Sequence, residues 1–183
     1  MRIIAGKFRS KKLNSPKSDD IRPTIDRVRQ AIFNILSSRL NNDFSDLRVL
    51  DLFAGTGAFG IEALSRGANY VCFVDNGLEA RGIIRAHIER FGIAGEAKLL
   101  KLNALNLGEA DKFEAFNLVF IDPPYGKNLG GKALLNAYQN GWIAKGAIIV
   151  LEEKAGVEVD LPDGFELLDR RKYGGTEVWL VIV

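Results

Sequence analysis

Two short segments hold residues whose types and spacing suit chemistry. In the first, Asp122-Pro123-Pro124-Tyr125 follows the apolar run Leu118-Val119-Phe120-Ile121. It puts a carboxylate, two rigid prolines and an aromatic ring at the end of an expected strand, the edge of an open α/β sheet where ligands bind. Proline has no N–H and a fixed φ, so the carbonyls before the two rings stay free as acceptors. A carboxylate and a carbonyl together can accept from a planar –NH2 group while a ring stacks beside it. The segment is suited to chemistry on an exocyclic amine.

The second segment is Asp51-Leu52-Phe53-Ala54-Gly55-Thr56-Gly57-Ala58-Phe59-Gly60. Gly55, Gly57 and Gly60 fit the G-x-G-x-x-G pattern, in which missing side chains let a ligand reach the backbone and a helix pack closely. The pattern alone suits dinucleotides and adenosyl ligands equally, and a glycine-rich turn without ligand also has it. Asp51 tilts the choice: a carboxylate there attracts an ammonium, as in S-adenosylmethionine, and repels a pyrophosphate. Asp75 ends the next apolar run, about 20 residues past the glycines, a spacing suited to ribose hydroxyls. Its plainer role is to cap the following helix. Asn103-Ala104 follows a third run and suits either an adenine contact or a turn.

These segments need a scaffold. The alternation along the chain predicts strands at 49–53, 70–75, 97–102, 117–121 and 147–151, with helices near 57–66, 77–91 and 129–141. Nearly continuous apolar strands separated by helices imply a parallel sheet covered on both faces. Segments 165–173 and 176–183 flank Gly174-Gly175, which predicts a closing antiparallel hairpin. The expected fold is α/β: a doubly wound, mostly parallel seven-stranded sheet ending in an antiparallel hairpin. Upstream, Thr24 caps an expected helix to about Ser38, with Ile25, Val28, Ile32, Ile35 and Leu36 on one stripe. Residues 2–13 suggest a short hairpin or flap with Gly6 near its turn. We read residues 1–183 as one domain, with a basic extension over 1–40 on a body of 41–183.

Composition narrows the class. The chain has 183 residues, 47% of them hydrophobic and 26% charged, as in ordinary soluble proteins. No run nears the roughly 18 apolar residues of a membrane span, and a cytoplasmic location is expected. With one cysteine and one histidine, a disulfide framework and a transition-metal site are not expected. Cys72 reads as core, His87 as a surface helix residue, and Trp142 and Trp179 as packing. Residues 1–40 carry ten Lys/Arg against three acids, while the rest has a net charge of −5. This asymmetry fits one face that meets a polyanion, or a solvated surface without a partner.

The N-terminal run sharpens the reading. Arg2-Ile3-Ile4-Ala5-Gly6-Lys7-Phe8-Arg9, Lys12-Leu13, Arg22-Pro23-Thr24, and Asp26 to Asn34 resemble the bacterial guanine-N2 methyltransferases of small-subunit (16S) ribosomal RNA. The resemblance continues through Asp51 to Gly57 and Glu62 to Ala68 to the Asp-Pro-Pro-Tyr segment, and it covers essentially the whole chain. Asn103 departs from it, standing where many methyltransferases have Asp. The resemblance implies a Rossmann-like, S-adenosylmethionine-dependent enzyme without a metal, acting on ribosomal RNA. A compact chain without a separate recognition domain suggests an assembled or nearly assembled small subunit as the target, and monomer is the default state. It implies Asp122, Pro123 and Tyr125 at the reacting amine. It implies Asp51, Phe53, Ala54, Gly55, Thr56, Gly57, Asp75, Asn76, Asn103 and Ala104 around the cofactor. Arg22, Thr24, Arg27, Arg29, Lys7 and Arg9 are the expected RNA contacts. The same amine-holding segment occurs in DNA adenine-N6, cytosine-N4 and protein-glutamine methyltransferases. A non-catalytic RNA-binding module and an NAD-dependent oxidoreductase are further alternatives.

Overall fold

Each expected strand is long enough and apolar enough to cross a buried sheet once, and the chain uses them so. The computed structural model describes residues 1–16, 26–124 and 129–183. In chain order the elements are α1 (Asp26–Arg39), β1 (Arg48–Leu52), α2 (Ala58–Ser65), β2 (Tyr70–Val74), α3 (Leu78–Phe91), β3 (Ala97–Leu100), β4 (Phe116–Ile121), α4 (Gly130–Gln139), β5 (Ile143–Lys154), β6 (Glu166–Tyr173) and β7 (Thr176–Ile182). The sheet order is β3-β2-β1-β4-β5-β7-β6. Pairing is parallel from β3 to β5 and antiparallel where β7 meets β5 and β6. This is the Rossmann-like arrangement expected from the alternation. β1 lies between β2 and β4, so the order in which strands are added reverses beside it and opens a crevice at the strand ends.

Alternating strand residues feed two cores. On one face Val49, Val71, Phe73, Leu118 and Phe120 meet α1, α2 and α3. On the other, Leu50, Leu52, Cys72, Val74, Val119 and Ile121 meet α4 and Trp142. Phe33 of α1 lies 5.7 Å from Phe120 and 6.3 Å from Phe59, which stacks on Phe120 at 4.8 Å. Burying each such side chain contributes roughly 1.5–3 kcal/mol, so this cluster does much to seat α1 on the sheet. Cys72 is fully buried, and burial pushes its thiol up to about 12. Trp142 and Trp179 are packing residues, and the Trp142 indole N–H donates to the Gly108 carbonyl at 2.8 Å. Among the described residues no helix is long and apolar enough to cross a membrane.

The N-terminal segment is a hairpin in the expected place. Arg2 and Lys12 form an antiparallel bridge, and Gly6 lies in the turn region at φ +80°. The hairpin docks through its backbone onto polar side chains of α2. Ile4 and Ala5 N–H groups donate to the Glu62 carboxylate at 2.8 and 3.1 Å, and the Phe8 N–H donates to Ser65 Oγ at 2.9 Å. The Lys7 N–H reaches the Ser65 carbonyl at 2.7 Å. A Cβ at Gly6 would overlap that carbonyl, and positive φ adds strain. Gly6→Ala is expected to lower stability by at least about 2 kcal/mol, roughly 4–8 °C in melting temperature for a chain this size. Early proteolytic cleavage in residues 1–14 should accompany the loss, checked by thermal unfolding and timed digestion.

Two expectations about single residues are overturned. His87 is completely buried, not on the surface. Arg29, expected on the RNA, is also fully buried. Its guanidinium donates to the Arg2 carbonyl and to Asp26 at 3.0 Å. Burial pulls its pKa down, and the charges of Asp26 and Glu62 oppose that. Arg29 therefore clamps α1 to the hairpin and is unavailable to a phosphate. β5 is also longer than expected, Ile143–Lys154, because β7 pairs along Ile148 to Lys154 and carries the ladder past the apolar run.

Candidate active site at the strand ends

Four adjacent strands deliver their chemistry to one edge. Asp51 lies within β1, and Phe53 to Gly57 form the loop into α2. Asp75 and Asn76 follow β2, Asn103 and Ala104 follow β3, and Asp122 and Pro123 follow β4. The pairing Leu52↔Ile121 sets the glycine loop and the Asp122 loop side by side. The Asp122 N–H points back to the Leu52 carbonyl at 3.5 Å. Asp122 is half-buried, Pro123 buried and Pro124 exposed. Tyr125, Arg22 and Thr24 lie outside the described residues.

The glycine loop is built under strain and braced by carboxylates. Phe53, Gly55 and Gly57 all have positive φ, at 56°, 55° and 74°. For a bulky residue such as Phe53 this costs roughly 1–2 kcal/mol, and strain of this kind concentrates at functional sites. The Gly57 N–H closes the turn onto the Ala54 carbonyl at 2.7 Å. Asp75 Oδ2 accepts the Gly55 N–H at 2.8 Å, and its Oδ1 accepts the Gly77 N–H at 2.7 Å. Asp75 thus braces the loop and closes a turn onto Gly77 just before α3, and each oxygen keeps a lone pair for a hydroxyl. Asp51 Oδ2 accepts the Gly60 N–H at 3.0 Å, tying β1 to the first turn of α2. Gly60 lets α2 pack closely on β2: a Cβ there would sit 2.7 Å from Val71 Cγ1 and closer still to the Phe73 ring.

Electrostatics at this edge favour a cation. Burial pushes the Asp51 carboxyl well above the usual carboxylate range. The Gly60 bond opposes the rise, and the negative charges of Asp122 and Asp75 add to it. A buried carboxyl with two acidic neighbours is relieved by a positively charged ligand and made worse by a pyrophosphate. The donor set therefore fits an ammonium- and sulfonium-bearing molecule. Asn103 takes the plainer of its two expected roles: exposed, with Oδ1 accepting the Leu105 N–H at 3.0 Å, it makes a turn. Ala54, Thr56 and Ala104 are buried, and Asn76 is exposed.

Basic side chains surround the hairpin. Arg9, Lys11, Lys12 and Arg27 are exposed. Lys7 is partly committed, at 2.6 Å from Glu96. Sequence reasoning missed Glu62, Ser65 and His87. The signal for His87 was its place with Ala80, Ile84 and Phe91 on the buried stripe of α3.

Residues 1–182 match the family described as Conserved hypothetical protein 95. The chain is 37% identical to Ribosomal RNA small subunit methyltransferase D of Escherichia coli K12, over 88% of this chain and 78% of that protein. The protein of the same description from Haemophilus influenzae is 31% identical over 95% and 89%. Among solved structures, a hypothetical protein of Thermus thermophilus superposes with a TM-score of 0.80 and 31% identity, covering 100% of this chain and 99% of that one.

Proposed function

Since this chain belongs to the Conserved hypothetical protein 95 family, we propose that it transfers a methyl group from S-adenosylmethionine to the exocyclic N2 amine of a guanine in small-subunit ribosomal RNA. The observation that carries the reading is the side-by-side placement of the glycine loop and the Asp122-Pro123 loop on adjacent strands. The substrate follows from the two relatives named as small-subunit ribosomal RNA methyltransferases.

Asp51 and Asp75 attract the cationic cofactor, Asp75 and Asn76 offer acceptors to its ribose, and Ala54, Gly55, Thr56, Gly57 and Ala104 shape the wall against which it lies, with Phe53 and Asn103 at the rim. The bound cofactor supplies an activated methyl group on a cationic sulfur. The chain does the rest by alignment. A guanine N2 lone pair is delocalised into the ring and is weakly nucleophilic. The Asp122 carboxylate and the Pro123 carbonyl accept its two N–H groups and favour a pyramidal nitrogen with the lone pair turned outward. Those bonds strengthen as positive charge grows on nitrogen, so they stabilise the transition state more than the ground state. Tyr125 stacks on the base and offsets part of the cost of exposing it. Arg9, Lys7, Arg22 and Arg27, with Thr24, hold the backbone. The protein acts as a monomer on an assembled small subunit, where ribosomal proteins complete the target.

The test is transfer of labelled methyl from S-adenosylmethionine to unmodified small subunits and to protein-free 16S RNA, followed by nucleoside analysis. The expected product is N2-methylguanosine, formed faster on subunits. Transfer to DNA or protein instead would overturn the substrate, and equal rates on both RNA forms would overturn the assembled target.

A further inference from the structure

His87 lies on the apolar stripe of α3, where a leucine would pack as well, yet both ring nitrogens are used. Nδ1 is 3.1 Å from the Thr56 carbonyl, inside the glycine loop. Nε2 receives the Asn14 N–H at 2.8 Å, where the N-terminal hairpin leaves the body. A carbonyl only accepts and a backbone N–H only donates. The ring must therefore be neutral, with its proton on Nδ1. Few side chains can donate at one end and accept at the other along a rigid frame of this length.

The surroundings hold the ring in that role. It stacks against Phe91 at 5.9 Å, and Phe91 stacks against Phe8 of the hairpin at 5.0 Å. One turn on, Arg90 donates to the Lys12 carbonyl at 2.8 Å, so α3 grips residues 12–14 twice. Burial lowers the His87 pKa, the Arg90 charge lowers it further, and the Thr56 bond opposes both. The net effect keeps the ring neutral. The Thr56 carbonyl faces α3, which fixes the orientation of the Thr56–Gly57 peptide within the strained loop.

We propose that His87 is a positioning residue with two separable duties: its Nδ1–H sets the glycine loop for S-adenosylmethionine, and its Nε2 sets the basic hairpin that faces the RNA. The inference rests on the methyltransferase reading above. It assigns the registry between cofactor loop and RNA-facing hairpin to one side chain outside both motifs.

Two conservative variants separate the duties. His87→Asn keeps a donor where Nδ1 stood and loses the acceptor, and His87→Gln keeps an acceptor where Nε2 stood and loses the donor. A lost neutral hydrogen bond corresponds to about a five-fold change in an equilibrium constant. With His87→Gln, S-adenosylmethionine binding by calorimetry should weaken about five-fold, with Asn14 amide exchange unchanged in the ligand-free protein. With His87→Asn, Asn14 exchange should quicken about five-fold and binding to 16S RNA should weaken, with cofactor affinity retained. This crossed pattern cannot come from general destabilisation, which moves both readouts together. Parallel shifts in both variants, or no shift in either, would overturn the proposal. Wild-type protein that fails to bind S-adenosylmethionine would instead overturn the methyltransferase reading and the inference with it.

Discussion

Asp122→Ala is expected to reduce kcat for methyl transfer by about 10²–10³, the usual cost of removing one hydrogen-bonding group aimed at developing charge. Affinity for S-adenosylmethionine should stay within about two- to three-fold, because the glycine loop is braced by Asp75 and closed by the Gly57 to Ala54 bond. The fold should survive as well: Asp122 is half-buried past the end of β4, while Leu118 to Ile121 hold the core. Single-turnover kinetics with saturating cofactor, alongside calorimetry, would check both halves. Asp122→Asn keeps a carboxamide oxygen as acceptor and loses the charge, so it should fall between wild type and alanine. A kcat within about five-fold of wild type for Asp122→Ala would remove this carboxylate from the mechanism.

Asp51→Asn is expected to stabilise the protein and to weaken it as an enzyme. The folded-state pKa of Asp51 is raised by burial, then by Asp122 and Asp75. A raised carboxyl adds stability that is fully present below the unfolded value of about 4 and is lost as pH climbs through the folded value. The asparagine, whose carboxamide oxygen can still accept the Gly60 N–H, escapes that loss. At pH 8 the variant should melt roughly 2–4 °C higher, the shift produced by about 1 kcal/mol in a chain of this size. The advantage should shrink as pH falls toward 4. Affinity for S-adenosylmethionine should drop about 10- to 100-fold, since a charge-assisted bond to an ammonium contributes about 1.5–3 kcal/mol. Thermal unfolding over that pH range, paired with calorimetry, would read both effects. A variant that gains stability and keeps its affinity would leave Asp51 a structural brace only.

The strands and helices were legible because their hydrophobic periods are unmixed. Leu118 to Ile121 reads as a strand buried on both faces, and Gly174-Gly175 between two long runs reads as a hairpin. β5 was cut short in the reading because Glu152 and Glu153 ended the apolar run, although both are buried in the sheet. The motifs along β1, β2 and β4 were legible for a different reason: the topology sends those strand ends to one edge, so order in the chain becomes proximity in space. What stayed hidden were polar side chains on apolar stripes. Arg29 shares its face with Phe33 and Leu36, and His87 shares its face with Ile84 and Phe91. Periodicity gives such positions a burial, and their partners come from other segments. Glu62 shows the same limit: its ligands are backbone N–H groups nearly sixty residues away, which no local pattern encodes.

The sheet order carries a consequence for how the chain comes together in time. Among the described residues β7 is the last strand in sequence, yet it sits between β5 and β6. Until Thr176–Ile182 is in place, the apolar stretch Ile148 to Leu151 of β5 has an open edge, and open edges invite pairing with other chains. β6 cannot cover it, because among the described residues β6 pairs with β7 alone. The β6–β7 hairpin closes across two residues, a local event on the order of microseconds, whereas its docking onto β5 joins distant segments and is slower. The chain's window of greatest aggregation risk is thus the interval between completing β5 and seating the hairpin on it.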